Sequence, residues 1–201
     1  MVGQFSEDIT IDSVAFKADR STGRVTSSFA DHIQMSGVKG TVRITNCLFD
    51  NPQDDPINVH GTYLQVTAVE GERKKLHLKY MHNETAGFPQ FHPGDKAELV
   101  NKRTMPAARD ATATVVSVDG PSGSGVPAGA DPETYLRTMT VTVDRDLPDS
   151  VLDAPGDYAA ENVNCTPSVV IKGNTFQAAP PEVFSSLRAS RCGSRATTST
   201  A

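Results

Sequence analysis

The chain has little of what most function classes need. Only three cysteines occur among 201 residues, at 47, 165 and 192, with no C-x-x-C pair, which excludes a zinc framework and leaves buried or incidental thiols as the expectation. No apolar run approaches the roughly 18 residues that a membrane span requires. Positive charge is also short. Nineteen Lys and Arg stand against 24 Asp and Glu, for a formal charge of −5, and the longest basic run, Arg73-Lys74-Lys75, reads as a hairpin tip, so nucleic acid is not expected as a partner. No G-x-S-x-G elbow, Cys–His pair or phosphate-cradling glycine loop is present. The first residues, MVGQFSEDITID, lack the basic, apolar, small-residue order of a signal peptide; the expectation is a cytoplasmic protein or an internal piece of a longer one. Long amphipathic helical runs are missing as well.

What the chain does have is short segments rich in Val, Ile and Thr, set among 15 Gly and 13 Pro. An all-β chain is expected. Three segments align by eye: ITIDSVAF (9–16), VRITNCLF (42–49) and VVIKGNTF (169–176). Each has β-branched residues, a polar or small turn and a closing Phe, which is the pattern of stacked parallel β-helix rungs. Residues 1–60 are therefore read as rungs, and 163–176 as a returning rung.

Between them the pattern changes. YLQVTAVEGERKKLHLKYM reads as a hairpin turning at Glu70-Gly71-Glu72, and ATATVVSVDG and YLRTMTVTVDRDLP read as further antiparallel strands. Residues 61–162 are expected to form an inserted antiparallel β-barrel or sandwich, because so long a loop would need its own core. Residues 177–201, rich in Ala, Ser, Arg and Thr, fit neither pattern. An irregular tail or a shifted reading frame would each explain them.

The chemistry concentrates in NPQDDPINVHG (51–61). Asp54 and Asp55 are adjacent, and Asp8, Asp31 and Asp54 are evenly spaced along the numbering. If that interval makes one turn, Asp31 stacks on Asp54 at about 4.7–4.9 Å, with Asp55 beside it. Crowded carboxylates raise the pKa of one member, which supplies a protonated acid beside an ionised base, as glycoside hydrolysis requires. A solvated Asp-Asp-Pro turn is the plain alternative. A calcium site lacks its usual acidic loop spacing and glycine, so neither a metal nor a cofactor is expected.

Asn58 and His60, two apart on one strand, share a face and suit sugar hydroxyls. They are assigned to substrate binding together with Glu7 and Asp8. His32 is ambiguous beside Asp31, and His77, His82 and His92 are read as surface residues.

FSEDITIDSVAF, ADHIQMSGVKGTVRITNCLFDNPQDDPINVHGTY and VVIKGNTF resemble glycoside hydrolase family 110, bacterial α-1,3-galactosidases acting on blood group B and linear α-Gal structures. The resemblance covers most of residues 3–176. It implies a right-handed parallel β-helix with β-barrel insertions and metal-independent, exo-acting, inverting hydrolysis of terminal galactose. The family's catalytic carboxylates fall on Asp31, Asp54 and Asp55, with Asp54 as general acid and the other two positioning and deprotonating the water. Family members are several times longer and carry a signal peptide, so the expectation is a fragment of a secreted or periplasmic parent that binds galactose-terminated glycans, with a homo-oligomer of that parent left open. Two rivals stand beside it: another β-helix polysaccharide enzyme, such as a polygalacturonase or lyase, and a non-catalytic carbohydrate-binding β-helix.

Overall fold

A computed structural model describes residues 1–105, 107–121 and 125–177; the tail reading for 178–201, including Cys192, lies outside them. The strands are β1 (Val2–Gln4), β2 (Glu7–Asp12), β3 (Ala15–Phe16), β4 (Ile33–Ser36), β5 (Lys39–Thr45), β6 (Leu48–Asp50) and β7 (Ile57–His60). There follow β8 (Tyr63–Glu70), β9 (Lys75–Tyr80), β10 (Lys96–Asn101), β11 (Ala107–Asp119), β12 (Thr138–Val143) and β13 (Tyr158–Asn162), then β14 (Ser168–Lys172) and β15 (Thr175–Gln177). Helices are few and short: α1 (Pro132–Arg137), α2 (Asp149–Asp153) and single 3-10 turns. The chain is mostly β, as its β-branched segments predict.

It packs as two units, one of residues 1–61 with those from Cys165 onward, the other Thr62–Asn164. In the first unit the strands form three parallel sheets, ordered β1-β4-β7, β2-β5-β14 and β3-β6-β15. Each sheet takes one strand from each of three successive rows, and the second unit interrupts the third row between β7 and β14. Ile9, Val42 and Val169 are partners in register, as are Ile11, Ile44 and Ile171, and Phe16, Phe49 and Phe176. The segments that align by eye thus lie side by side.

Rows stack because their inward positions repeat. Ile11, Ile33, Met35, Val38, Val42, Ile44, Cys47 and Phe49 are buried together. The three Phe rings stack with 5.1 Å between successive centroids and near-parallel planes. At the turn before each Phe, Ser13, Asn46 and Gly173 occupy equivalent positions, all with positive φ (58°, 55° and 67°). Gly173 has a second reason: a Cβ there would lie 2.6 Å from the Asn46 Oδ1. Asn174 fills the turn's remaining polar needs, accepting from Cys47 N and donating to Ile44 O.

The second unit is a closed antiparallel barrel of order β10-β11-β12-β9-β8-β13. The β8–β9 hairpin turns where the sequence suggests, with Glu70 opposite Lys75. Inward Leu64, Val66, Leu76, Leu78, Leu99, Val115, Met139 and Val141 form its core, with Tyr80 and Phe91. Of the two alternatives for this segment, closure of the sheet selects the barrel.

Candidate active site

Asp31 and Asp55 precede β4 and β7, and backbone pairing begins before the strands do: His32 N donates to Asp55 O at 3.0 Å and Ile33 N to Pro56 O at 3.3 Å. In the strands, Ile33 pairs with Ile57, Gln34 with Asn58 and Ser36 with His60. Carried back along both chains, this register aligns Asp31 with Asp55, one position on from the Asp54 that even spacing from Asp8 would select. One oxygen of each of Asp31, Asp54 and Asp55 lies within 4.8 Å of the others.

Asp54 is exposed and Asp55 half-buried. The Asp54 carboxylate accepts from the Asp55 N–H at 3.0 Å, which turns it toward its neighbour. Half-buried Asp31 accepts from the Asn58 amide, Nδ2 to Oδ2, at 3.0 Å. Its carboxyl is pushed above the usual carboxylate range, first by partial burial and then by the charges of Asp54 and Asp55, against the opposing hydrogen bonds from Asn58 and the Asp55 backbone. Such a group holds a proton more readily than an ordinary aspartate. Carboxylates at this spacing repel one another, which favours a proton on one of them, and they could also gather around a hard divalent cation.

Asn58 and His60 share one face of β7 with Gln34 and Ser36 of β4, while Ile33, Met35, Ile57 and Val59 turn to the core. His60 Nδ1 lies 2.8 Å from Gly61 O. A carbonyl only accepts, so Nδ1 carries the proton there and Nε2 faces the Gln34 amide nitrogen, 3.4 Å away. Gln34 is the residue that sequence reasoning passed over. Its signal is the echo of Ile-Gln-Met-Ser (33–36) in Ile-Asn-Val-His (57–60), visible once these segments set the alignment in place of the acidic residues.

Glu7 and Asp8 are not brought to the carboxylates. They lie on β2, in another sheet, where Ile9 pairs with Val42, so the interval from Asp8 to Asp31 does not correspond to a turn. Pairing shifts register between Glu7 and Ile9, and Asp8, at φ 53°, accepts from Thr41 N at 2.9 Å. Asp8 thereby satisfies a donor that the bulge leaves without a ladder partner. Glu7 is exposed opposite Lys39.

His32 is 3% exposed, stacked on Phe16 and Phe49 with centroids 5.4 and 5.9 Å away, its Nε2 against Ser27 Oγ. Burial pushes its pKa down. It belongs to the core beneath the site. Cys47 and Cys165 are both buried.

No protein-family model matches the chain. Among curated proteins it is similar to alpha-1,3-galactosidase A of Peterkaempfera griseoplana, 75% identical over 90% of this chain and 24% of that protein. The protein of the same name from Streptomyces avermitilis is 54% identical, over 90% of this chain and 27% of its own length. That from Bacteroides thetaiotaomicron is 34% identical, over 90% and 29%. The chain spans about a quarter of the length of the curated relatives it matches. The resemblance expected from the motifs is borne out by these relatives, and in sequence this chain is homologous to part of the α-1,3-galactosidases.

Proposed function

We propose that the chain carries the carboxylate centre of a glycoside hydrolase that removes terminal α-1,3-linked galactose from glycans, including blood group B and linear α-Gal structures, in an exo fashion. The observation that carries this is the Asp31–Asp54–Asp55 trio, one member of which is held above the usual carboxylate range. A glycosidic oxygen leaves only when protonated, and water attacks well only when a base draws off its proton; two carboxyls of unlike protonation do both. The family resemblance gives Asp54 as the general acid, with Asp31 and Asp55 positioning and deprotonating the water; the raised Asp31 carboxyl suits the acid's part as well as that of a stronger base, and the pH–rate profiles of the Asp31→Asn and Asp54→Asn variants separate the two. The names of the relatives supply the sugar and linkage.

We also read the three rows of parallel strands as turns of a right-handed parallel β-helix, with the barrel inserted in the third. The longer protein acts outside the cytoplasm on this view, and its presence in a culture supernatant or periplasmic fraction would check that. The negative net charge disfavours the polygalacturonase or lyase alternative, since long acidic substrates call for basic subsites.

Asp31→Asn, Asp54→Asn and Asp55→Asn test the assignment on an α-1,3-linked galactosyl disaccharide. Each loses roughly 10²–10⁴-fold in kcat, the share typical of general acid–base groups; full activity in all three ends the reading. Proton NMR of the first-formed sugar reports the stereochemistry. Inversion gives β-galactose first. The close approach of the three oxygens favours a second reading, because inverting pairs usually stand about 6.5–9.5 Å apart and retaining pairs about 5–5.5 Å; α-galactose appearing first would select retention.

A further inference from the structure

The polar face of β4 and β7 holds more than the carboxylates use. Gln34, Asn58 and His60 are all half-buried, and Gln34 lies directly opposite Asn58, the residue that reaches Asp31. Gln34 is therefore one strand from the carboxylate cluster, on the face that Asn58 connects to it.

Its orientation is set from the far side. Gly61 O fixes the His60 ring through Nδ1, and the opposite ring nitrogen, acting as acceptor, holds the Gln34 amide nitrogen. That uses one of the two amide hydrogens. Among the described residues the second hydrogen and the carbonyl oxygen have no partner, which leaves one donor and one acceptor for a ligand and matches a hydroxyl that both accepts and donates. The inward neighbours Ile33 and Met35 are fully buried, so the core makes no demand for an amide at position 34.

We propose that Gln34, steered by His60, is a substrate-contacting residue that takes a ring hydroxyl of the sugar whose linkage oxygen lies at Asp31, Asp54 and Asp55. The proposal rests on the galactoside reading given above and deepens it, moving part of hydroxyl recognition from β7 to β4. Asn58, engaged with Asp31, is correspondingly less free to bind sugar.

The test is equilibrium binding of methyl α-galactoside and its monodeoxy forms to the chain and to Gln34→Ala, read by calorimetry or ligand-observed NMR. A site built to hydrogen-bond a hydroxyl discriminates against the analogue that lacks it. The wild-type chain should weaken about tenfold toward one deoxy sugar. Gln34→Ala should weaken similarly toward the parent galactoside and be indifferent to loss of that same hydroxyl. His60→Ala should reproduce part of the effect. Equal losses for every sugar, unchanged binding, or a wild-type chain that binds no galactoside would each overturn the proposal. Should Gln34→Ala not fold, Gln34→Glu, which keeps the size and removes the donor, carries the same comparison. Binding is read without turnover: the hydroxyl-specific coupling found together with full activity in Asp31→Asn, Asp54→Asn and Asp55→Asn ends the hydrolase reading while supporting this one.

Discussion

Asn58 donates its amide hydrogen to Asp31 across neighbouring strands, 3.0 Å from Nδ2 to Oδ2. The bond favours the ionised carboxylate against burial and the charges of Asp54 and Asp55, which favour the proton. Asn58→Ala removes only the first influence, so the Asp31 pKa rises further. If Asp31 must be ionised to draw a proton from water, the acidic limb of the kcat/KM profile moves to higher pH in Asn58→Ala, with little change on the alkaline side. A pH–rate series on both proteins checks this.

Buried Glu161 gives a stability counterpart in the barrel. It pairs in register with Glu98 on one side and Tyr63 on the other. Burial raises its pKa and the Glu98 charge adds to this, while a hydrogen bond with Tyr63 opposes it. Folding then favours the protonated form. Its contribution is fully present below the unfolded carboxyl pKa and is lost as pH climbs through the higher folded value. Glu161→Gln should match the wild-type Tm in acid and exceed it increasingly toward neutral pH; thermal melts across that range measure the divergence, and a constant offset would contradict it.

The Phe ladder predicts where the first unit is most sensitive. Phe49 is fully buried with a ring on each side, so Phe49→Ala should cost about 3–5 kcal/mol by denaturant titration. The exposed Phe29 should tolerate Ala with little change.

Gly173 meets two demands, a left-handed backbone and the close approach of Asn46 Oδ1. Gly173→Ala should lose about 1–2 kcal/mol from the backbone alone and more if Asn46 is displaced. Asn46→Gly relieves the second demand, so the double variant should lose less than the sum of the singles.

Chelation separates acid–base chemistry from metal chemistry at the carboxylates. With EDTA, and with added Ca²⁺ or Mg²⁺, turnover should be unchanged. Activity that falls on chelation and returns with one cation would reassign the trio as ligands.

The stacked row was legible because inward positions repeat: Ile9, Val42 and Val169 share a chemistry, and the following Phe shares both chemistry and place. Strand alternation likewise exposed the β8–β9 hairpin. The site was legible only in part. Asp31, Asp54 and Asp55 could be found as carboxylates near one another, but their register was off by one because row length is not constant. Ile9 pairs with Val42 while Ile33 pairs with Ile57, so the connections between strands make the turn counted from β2 longer than the turn counted from β4. A period inferred from acidic residues thus included Asp8, which the bulge uses, and omitted Gln34, which carries no charge to draw notice. His32 was ambiguous for another reason: its position among rings depends on Phe16 and Phe49, brought together only by folding.

The pairing of Tyr63 with Glu161 joins nearly the first and last residues of the inserted unit. Once the barrel closes, the two ends of this long excursion are neighbours, and the effective loop between β7 and β14 becomes short. Bringing distant ends together carries an entropic cost that grows with loop length, and contacts distant in sequence form slowly. Barrel closure thus works as a kinetic splice: β14 meets β5 across a short gap, so damage to the barrel would delay completion of the row that bears Asn58 and His60.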